Sequence, residues 1–510
     1  MTIFYGQGGI ILSRKLPIFY SALLLTGVNL LLRTVGTSFQ VYLSGQIGAE
    51  GIGLLQLVLS VGSMAMVAGM AGIRTATMYL TAEEIGRKKP GRVIWVLSGC
   101  ITYSLVISGC VSAGVYYFAP WIASQWIGHP EVSDAVRLYA AFLPVSCLCG
   151  VMVGYFTGAG RIGTLAAVEV AEQFCSIGCT VLLLKLWAGH NAVSACQAVI
   201  MGSSMGTVLT LVCLVILRLS ERTPLSERIA VAGRLRQTAV PLAIADDLRT
   251  GISTVENLMV PKRLALYAGI DSPLAAFGTV CGMVFPILTF PMAILFGLTE
   301  ILIPELARCS AAGSRERINY LVKQSLRVAL LFGTVCGCIL FLSAEALCIK
   351  LYSSEEAGRY LRWFAPLAVM LYCDGVTDAM IKGLGEQKAS VRYNICTNSM
   401  DVALLYVLLP RYGIVGYFIS FTVTHIINFF LSLRRLLKIT GVDISISIPV
   451  RSLLCGCAAV FVASFVPTAL LRSVAGSVVL ICLLSLTGVI HTADVKWLLQ
   501  LIKPNKKCHC

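Results

Sequence analysis

Charge is scarce in this chain. Only 13% of its 510 residues are Asp, Glu, Lys or Arg, against about 25% in a soluble globular protein. With 57% hydrophobic residues and a mean hydropathy of +0.84, that scarcity excludes a water-soluble domain. Histidine is scarcer still: His129, His190, His425, His491 and His509 are scattered without metal-ligand spacing. No G-x-x-x-x-G-K-[ST] phosphate loop occurs, which excludes a P-loop ATPase. No hydrophilic stretch is longer than about twenty residues, too short to fold alone, so an enzyme with an extramembrane catalytic domain is disfavoured. We expect no catalytic residues, no metal and no resident cofactor.

Cysteine, by contrast, is plentiful at twenty residues. Most sit singly in apolar runs or as C-x-C pairs: Cys147 and Cys149, Cys336 and Cys338, Cys455 and Cys457. Residues two apart face different sides of a helix, so these are poor ligand pairs and read as small buried hydrophobes. The terminal Cys508 to Cys510 stretch reads as a frayed end.

The net charge of +15 is loop-borne rather than a nucleic-acid footprint. Basic residues cluster between apolar runs at Arg87, Lys88, Lys89 and Arg92, and again at Arg218, Arg222, Arg228, Arg234 and Arg236. Later clusters are Arg308, Arg315 and Arg317; Lys382, Lys388 and Arg392; Arg434, Arg435 and Lys438; and Lys503, Lys506 and Lys507. Intervening loops such as "SGQIGAEGIG" lack Lys and Arg. The alternation follows the positive-inside bias and places both termini in the cytoplasm. Arg14 and Lys15 precede a first segment with no small-residue cleavage site, which reads as an uncleaved helix.

Apolar runs of roughly 20 residues, the thickness of a hydrocarbon core, begin near 17, 53, 91, 134, 160, 191, 236, 274, 319, 360, 389, 413, 448 and 474. The fold class is therefore an all-α polytopic membrane protein of about fourteen transmembrane helices. Sliding the chain along itself by about 225 residues brings Gly72 onto Gly297, Ala82 onto Ala307, Arg92 onto Arg317, and "GAG" at Gly158 onto "GLG" at Gly383. This predicts two pseudo-symmetric six-helix lobes, 1–219 and 236–440, a cytoplasmic linker 220–235, and two further helices with a basic tail in 441–510. Two such bundles place a substrate path at their interface. The repeat favours transport.

A charge at mid-bilayer is costly and by default faces protein or water. In the seventh segment Asp246, Arg249, Thr250, Ser253, Glu256 and Asn257 fall on one arc, with Ile244, Leu248, Ile252, Val255, Leu258 and Met259 opposite. Asp246 and Arg249, three apart, form either a structural ion pair or part of a hydrated wall. Arg33 and Arg74 lie within the first and second segments, and Glu169 and Glu172 share a face of the fifth. Glu300 lies in the eighth, Asp374 and Asp378 share a face of the tenth, and Asp401 is in the eleventh. Arg33, Arg74 and Arg249 suit a diphosphate, because guanidinium matches phosphate bidentately and stays charged. The carboxylates suit either a coupling cation, sodium or proton, or sugar hydroxyls. In the eighth segment Pro286, Pro291 and Pro304 each free a backbone carbonyl, while Gly69 and Gly72 in the second permit close approach or hinging.

The stretches "LLLRTVGTSFQVYLSGQIGAEGIGLLQL", "AGIRTATMYLTAEE", "FPMAILFGLTEILIPELAR" and "IKGLGEQKASVRYNICTNSMDVALLYVLLPRYGIVGYF" resemble the stage V sporulation protein B group. That group belongs to the polysaccharide-transport branch of the multidrug/oligosaccharidyl-lipid/polysaccharide (MOP) exporter superfamily, related to lipid II flippases. The resemblance implies two lobes around a central cavity in a MATE-like fold. It also implies transbilayer movement of an undecaprenyl-diphosphate-linked saccharide, in the sporulation group for cortex peptidoglycan. Arg33 and Arg74 occupy places comparable to cavity arginines of the lipid II flippases. The implied partners are the lipid-linked saccharide, the bilayer of a bacterial inner membrane and a cell-wall polymerase, with no nucleic acid. A cation-coupled multidrug exporter of the same superfamily, a non-transporting scaffold for cell-wall polymerases, and a membrane enzyme are the competing readings, in that order.

Overall fold

The computed structural model describes residues 18–87, 90–187, 191–220, 231–443, 445 and 447–489. Outside it lie Arg14, Lys15, Lys88, Lys89, His190, most of the expected linker with Arg222 and Arg228, His491, the tail with Lys503, Lys506 and Lys507, and Cys508 to Cys510. Among the described residues the chain is helical and contains no strand.

The helices, in chain order, are α1 (Ile18–Met70), α2 (Ile73–Gly86), α3 (Val93–Trp121), α4 (Ser133–Gly158), α5 (Ile162–Leu186) and α6 (Ala192–Leu219). They continue as α7 (Ala232–Leu264), α8 (Pro273–Gly278), α9 (Phe285–Thr289), α10 (Met292–Ala311), α11 (Arg315–Tyr352) and α12 (Glu355–Phe364). Then come α13 (Ala368–Gly383), α14 (Gln387–Tyr412), α15 (Ile414–Thr440), α16 (Ser447–Ser464) and α17 (Ala469–Leu486). A helix or a helix break stands beside each expected segment start.

Nine helical stretches among the described residues are long and apolar enough to cross a membrane, ten if the bent pair spanning Pro273 to Ala311 counts as one. The stretch Gly27–Gly86 enters that count once although it has 60 residues. At about 1.5 Å per residue it would run about three times the hydrocarbon thickness. Gly48, at φ 69° and ψ −178°, divides it; only a residue without a Cβ takes that conformation without strain. Helices α7 and α14 are missing from the nine because polar and charged residues lower their hydropathy.

The described helices fall into two compact units. The first contains residues 18–28 and 54–258, and the second residues 29–53 and 259–489. Within the first unit, α4 carries Gly150, Gly154 and Gly158 on one stripe facing α2. A Cβ at Gly154 would collide with the carbonyl oxygen of Arg74, and one at Gly158 would sit 2.5 Å from that of Met78. This is small-residue packing, which lets helix backbones approach in the absence of a hydrophobic driving force. Gly69 likewise lies against Leu143. Around the contact, Ile73, Ala76 and Leu80 of α2 join Val96 of α3, Met152 and Phe156 of α4 and Leu235 of α7 in one core.

In the second unit Gly383 of α13 lies against Ile303 of α10, where a Cβ would come within 3.0 Å of its carbonyl oxygen. The Gly158 and Gly383 match in the repeat is thus a match of two close-approach points. Gly72 and Gly297 behave differently. Gly72, at φ 71°, separates α1 from α2, whereas Gly297 is an ordinary residue inside α10. The second unit breaks its helix instead at Phe290 and Pro291, with a 56° bend. Each unit therefore has an interrupted second helix, one broken by glycine and the other by proline.

Candidate functional site

Helix α7 has three sides rather than the two expected. Leu235, Ala239, Ala243 and Thr254 are buried. The Thr254 hydroxyl donates to the Ser60 carbonyl at 3.2 Å, and Asn257 Nδ2 donates to Ser60 Oγ at 3.0 Å. These contacts fix the helix to the second part of α1 within the first unit. Ile244, Leu248 and Val255 form an uncovered apolar side, at 63%, 49% and 53% exposure. The third side carries Asp246, Arg249, Ser253 and Glu256 at spacings of three, four and three. Asp246 and Arg249 are both exposed, and no ion pair joins them among the described residues. Asn257, expected on that charged side, instead serves as the tie to Ser60. Asp247 is half-buried, and its Oδ1 has no hydrogen-bond partner among the described residues.

Elsewhere in the first unit, α2, α4 and α5 bring together Arg74, Glu169, Glu172 and Cys149, close enough to act on one another electrostatically. Arg74 is exposed and Glu169 half-buried. Glu172 is held to α6, where Thr207 Oγ1 donates to its Oε1 at 3.2 Å and Thr210 Oγ1 to its Oε2 at 2.9 Å. Glu172 has a structural tie, then, and Glu169 faces the arginine without one.

At the start of α7, Arg234 forms a double clasp on α2. Its Nη1 lies 2.6 Å from Glu84 and its Nη2 2.5 Å from Glu83.

In the second unit, the first part of α1 runs beside the interrupted segment α8–α10. Arg33 is half-buried, and its Nη2 donates to Thr289 Oγ1 at 2.6 Å. Seven residues on, on the same face, Gln40 Nε2 donates to the Gly282 carbonyl at 3.2 Å. Gly282 lies in a π-helical turn, Thr279–Val284. Pro286, four residues later, has no N–H to give that carbonyl.

Three of the four remaining carboxylates line the packing of α13, α14 and α15. Asp374 Oδ2 accepts from Asn428 Nδ2 at 2.9 Å, and Asn428 Oδ1 accepts from Thr397 at 3.4 Å. Asp378 takes a hydrogen bond from Ser390 and pairs with Lys382 at 2.5 Å. Asp401 Oδ1 accepts from Ser420 at 2.5 Å and from Thr424 at 3.3 Å. Asp401, Ser420, Thr424 and Asn428 are all buried, while Asp374 Oδ1 is left without a hydrogen-bond partner among the described residues. Glu300 lies in α10, and its side chain is outside the described residues.

Residues the sequence reading passed over are Gln40, Ser60, Thr289, Ser420, Thr424 and Asn428. The α15 set had a signal: Ser420, Thr424, Asn428 and Ser432 repeat every four residues, the spacing of neighbours on one helix face. Among the described residues no group of three or more His, Cys, Asp or Glu could hold a metal ion.

Among the described residues the chain is all helical, with helices long and apolar enough to cross a membrane, the architecture of a polytopic membrane protein. The MatE family model matches residues 26–171 and again 263–407, together more than half of the chain. The chain belongs to the MatE family. It is similar to stage V sporulation protein B of Bacillus subtilis (strain 168), at 23% identity over 77% of this chain and 78% of that protein. Lipid II flippase MurJ of the same organism is 22% identical over 70% of this chain and 71% of that protein. A solved structure of lipid II flippase MurJ in an inward closed conformation shares the fold, with TM-score 0.68, 13% identity and coverage of 92% of this chain and 98% of that one.

Proposed function

We propose that this chain is a flippase that carries an undecaprenyl-diphosphate-linked saccharide, lipid II or a related polysaccharide unit, across the bacterial cytoplasmic membrane by alternating access. In this reading the helices make about fourteen crossings with both termini in the cytoplasm. The duplicated family match supports two related halves, 1–219 and 236–440, joined by the linker 220–235 and followed by the C-terminal helices of 441–510. Stage V sporulation protein B among the relatives favours service to spore cortex synthesis, with a cell-wall polymerase as the downstream partner.

The observation that carries this reading is the charged side of α7. A central Asp, Lys or Arg costs about 2.5–3.5 kcal/mol on insertion scales. A helix that leaves Asp246 and Arg249 uncovered beside an uncovered apolar side therefore turns the first side to water and the second to lipid. A diphosphate sugar cannot shed its hydration into hydrocarbon. Arg249 and Arg74 in the first unit, and Arg33 in the second, replace that water with planar donor forks; Ser253, Glu256 and Glu169 in the first unit and Glu300 in the second meet sugar hydroxyls. Asp374, Asp378 and Asp401 take the coupling sodium or proton.

Transport of a fluorescent undecaprenyl-diphosphate saccharide in proteoliposomes tests the reading. Wild type moves it, and Arg249→Ala slows movement by roughly tenfold or more at unchanged thermal stability. Export of organic cations without lipid movement would establish the second reading, a multidrug exporter, which the buried carboxylates favour. A protein that moves neither substrate is a scaffold.

A further inference from the structure

The α1 face that carries Arg33 holds a second polar contact, and both land on the same interrupted helix. Gln40 Nε2 reaches the Gly282 carbonyl at 3.2 Å and Arg33 Nη2 reaches Thr289 Oγ1 at 2.6 Å. Between and just beyond these points two prolines interrupt the backbone hydrogen-bond ladder. Pro286 cannot bond the Gly282 carbonyl, and Pro291 cannot bond that of Ile287. The Ile287 carbonyl takes instead a long turn bond from the Phe290 N–H, at 3.3 Å. Thr289 turns its own hydroxyl back to the Phe285 carbonyl at 2.8 Å, a pattern that bends helices. Arg33 thus grips the last residue before the break at Phe290 and Pro291.

Resting on the flippase reading above, we infer that Arg33 is a latch as well as a ligand: its bond to Thr289 holds the bend, and a captured diphosphate releases it. The argument is a competition for one donor. The Thr289 hydroxyl is a neutral acceptor, whereas a phosphate oxygen is anionic. Charge-assisted hydrogen bonds are shorter and roughly twice as strong as neutral ones, so the diphosphate draws the guanidinium away. Thr289 is not orphaned by the loss, because its hydroxyl still donates to Phe285. Gln40 keeps the Gly282 carbonyl satisfied throughout and serves as the fixed end of the strut. Release then frees the Phe290 and Pro291 joint to change angle only when a head group is bound. Thr289 and Gln40 are positioning residues in this scheme, and only Arg33 touches substrate.

The test uses the full chain in nanodiscs, with undecaprenyl diphosphate as probe. Three readouts are taken: equilibrium binding, proteoliposome transport, and hydrogen exchange of a peptide covering residues 285–295. Thr289→Val, nearly isosteric, removes the competing acceptor. It binds the probe several-fold more tightly than wild type, transports with lower kcat, and exchanges fast at 285–295 without probe. Thr289→Ser restores wild-type values in all three readouts. In wild type the probe itself accelerates exchange there. Arg33→Ala weakens binding by roughly tenfold or more and exchanges fast whether or not the probe is present. If Arg33→Ala weakens binding but Thr289→Val binds no tighter and exchange at 285–295 does not respond to the probe, the latch is wrong and the flippase reading survives. If wild type does not bind the probe, or Arg33→Ala binds it as well as wild type, the head-group role of Arg33 fails and the latch falls with it.

Discussion

Arg263 donates to the backbone carbonyl of Tyr406 twice, from Nε at 3.1 Å and Nη2 at 2.8 Å, while its guanidinium lies 3.7 Å from the Tyr406 ring centroid. Pro410, four residues further along α14, lacks the N–H that would have met this carbonyl. The pattern recurs. Ser112 Oγ donates at 2.7 Å to the Ala140 carbonyl, four residues before Pro144 of α4, and Gln40 does the same for Gly282 and Pro286. In lipid every backbone polar group needs a partner, and at these three positions a side chain distant in sequence meets the proline-freed carbonyl. Arg263→Ala should destabilise the protein by about 1–3 kcal/mol, the range for losing charged hydrogen bonds and exposing an unmet group. In a Pro410→Ala background the cost should shrink, because the substituted residue regains a backbone N–H that can meet the Tyr406 carbonyl. Thermal unfolding of the four variants of this cycle in detergent gives the coupling; equal losses in both backgrounds would refute the account.

Gly154 and Gly150 lie on the same stripe of α4, and a methyl group at each should have unequal consequences. At Gly154 it meets the rigid carbonyl of Arg74, whereas at Gly150 it meets the Met70 Cε at 3.0 Å, the far end of a flexible side chain. Overpacking that must move a backbone costs about 1–3 kcal/mol, so Gly154→Ala should lower the melting temperature clearly and Gly150→Ala barely. Because the displaced carbonyl belongs to Arg74, Gly154→Ala should also slow transport in protein that remains folded.

The positions of the helices were legible because hydrophobic length alone sets them in a bilayer protein. Their number of crossings was less so, since α7 and α14 sacrifice apolarity to carry Asp246, Arg249, Asp401 and their neighbours. The close approach at Gly158 and Gly383 was visible in the repeat, and the bending prolines of the eighth segment were visible by residue type. What stayed hidden were neutral partners. Thr289, Ser60 and Gln40 look ordinary in a sequence, and only the fold brings each to a particular carbonyl or hydroxyl. The two-sided wheel for α7 failed on Asn257 for a related reason. Periodicity separates polar from apolar residues, but it cannot say which polar ones face a neighbouring helix and which face water.

Asp374 and Asp401 share the buried column on α13, α14 and α15, yet their surroundings differ. Asp401 Oδ1 receives two hydroxyls, whereas Asp374 keeps one oxygen buried without a hydrogen-bond partner among the described residues. An unmet buried carboxylate oxygen is costly unless a cation or proton visits it. Asp374→Asn, the neutral near-isostere, should therefore abolish acceleration of transport by an imposed sodium or proton gradient. Slow equilibration of substrate without a gradient should persist. The contrast between the two ion gradients in proteoliposomes names the coupling ion. Unchanged acceleration under both would remove Asp374 from the coupling step.

The two uncovered sides of α7 make opposite predictions for chemical access. Ile244, Leu248 and Val255 are as open as Asp246 and Arg249, so packing alone would let a thiol at any of them react. Solvent decides instead. Only ionised thiol is nucleophilic, and ionisation is disfavoured in hydrocarbon. Cysteine substituted at positions 246, 249, 253 and 256 should react with a membrane-impermeant charged thiol reagent. Substituted at 244, 248 and 255 it should not. Among the described residues the native exposed thiols are Cys110, Cys396, Cys457 and Cys482; with Cys508 and Cys510 they set the background, and single Ala replacements assign their share. Undecaprenyl diphosphate should then protect position 249 and leave the apolar positions unchanged. Equal labelling on both sides would mean that α7 borders water throughout, and the charged side would lose its claim to be a head-group path.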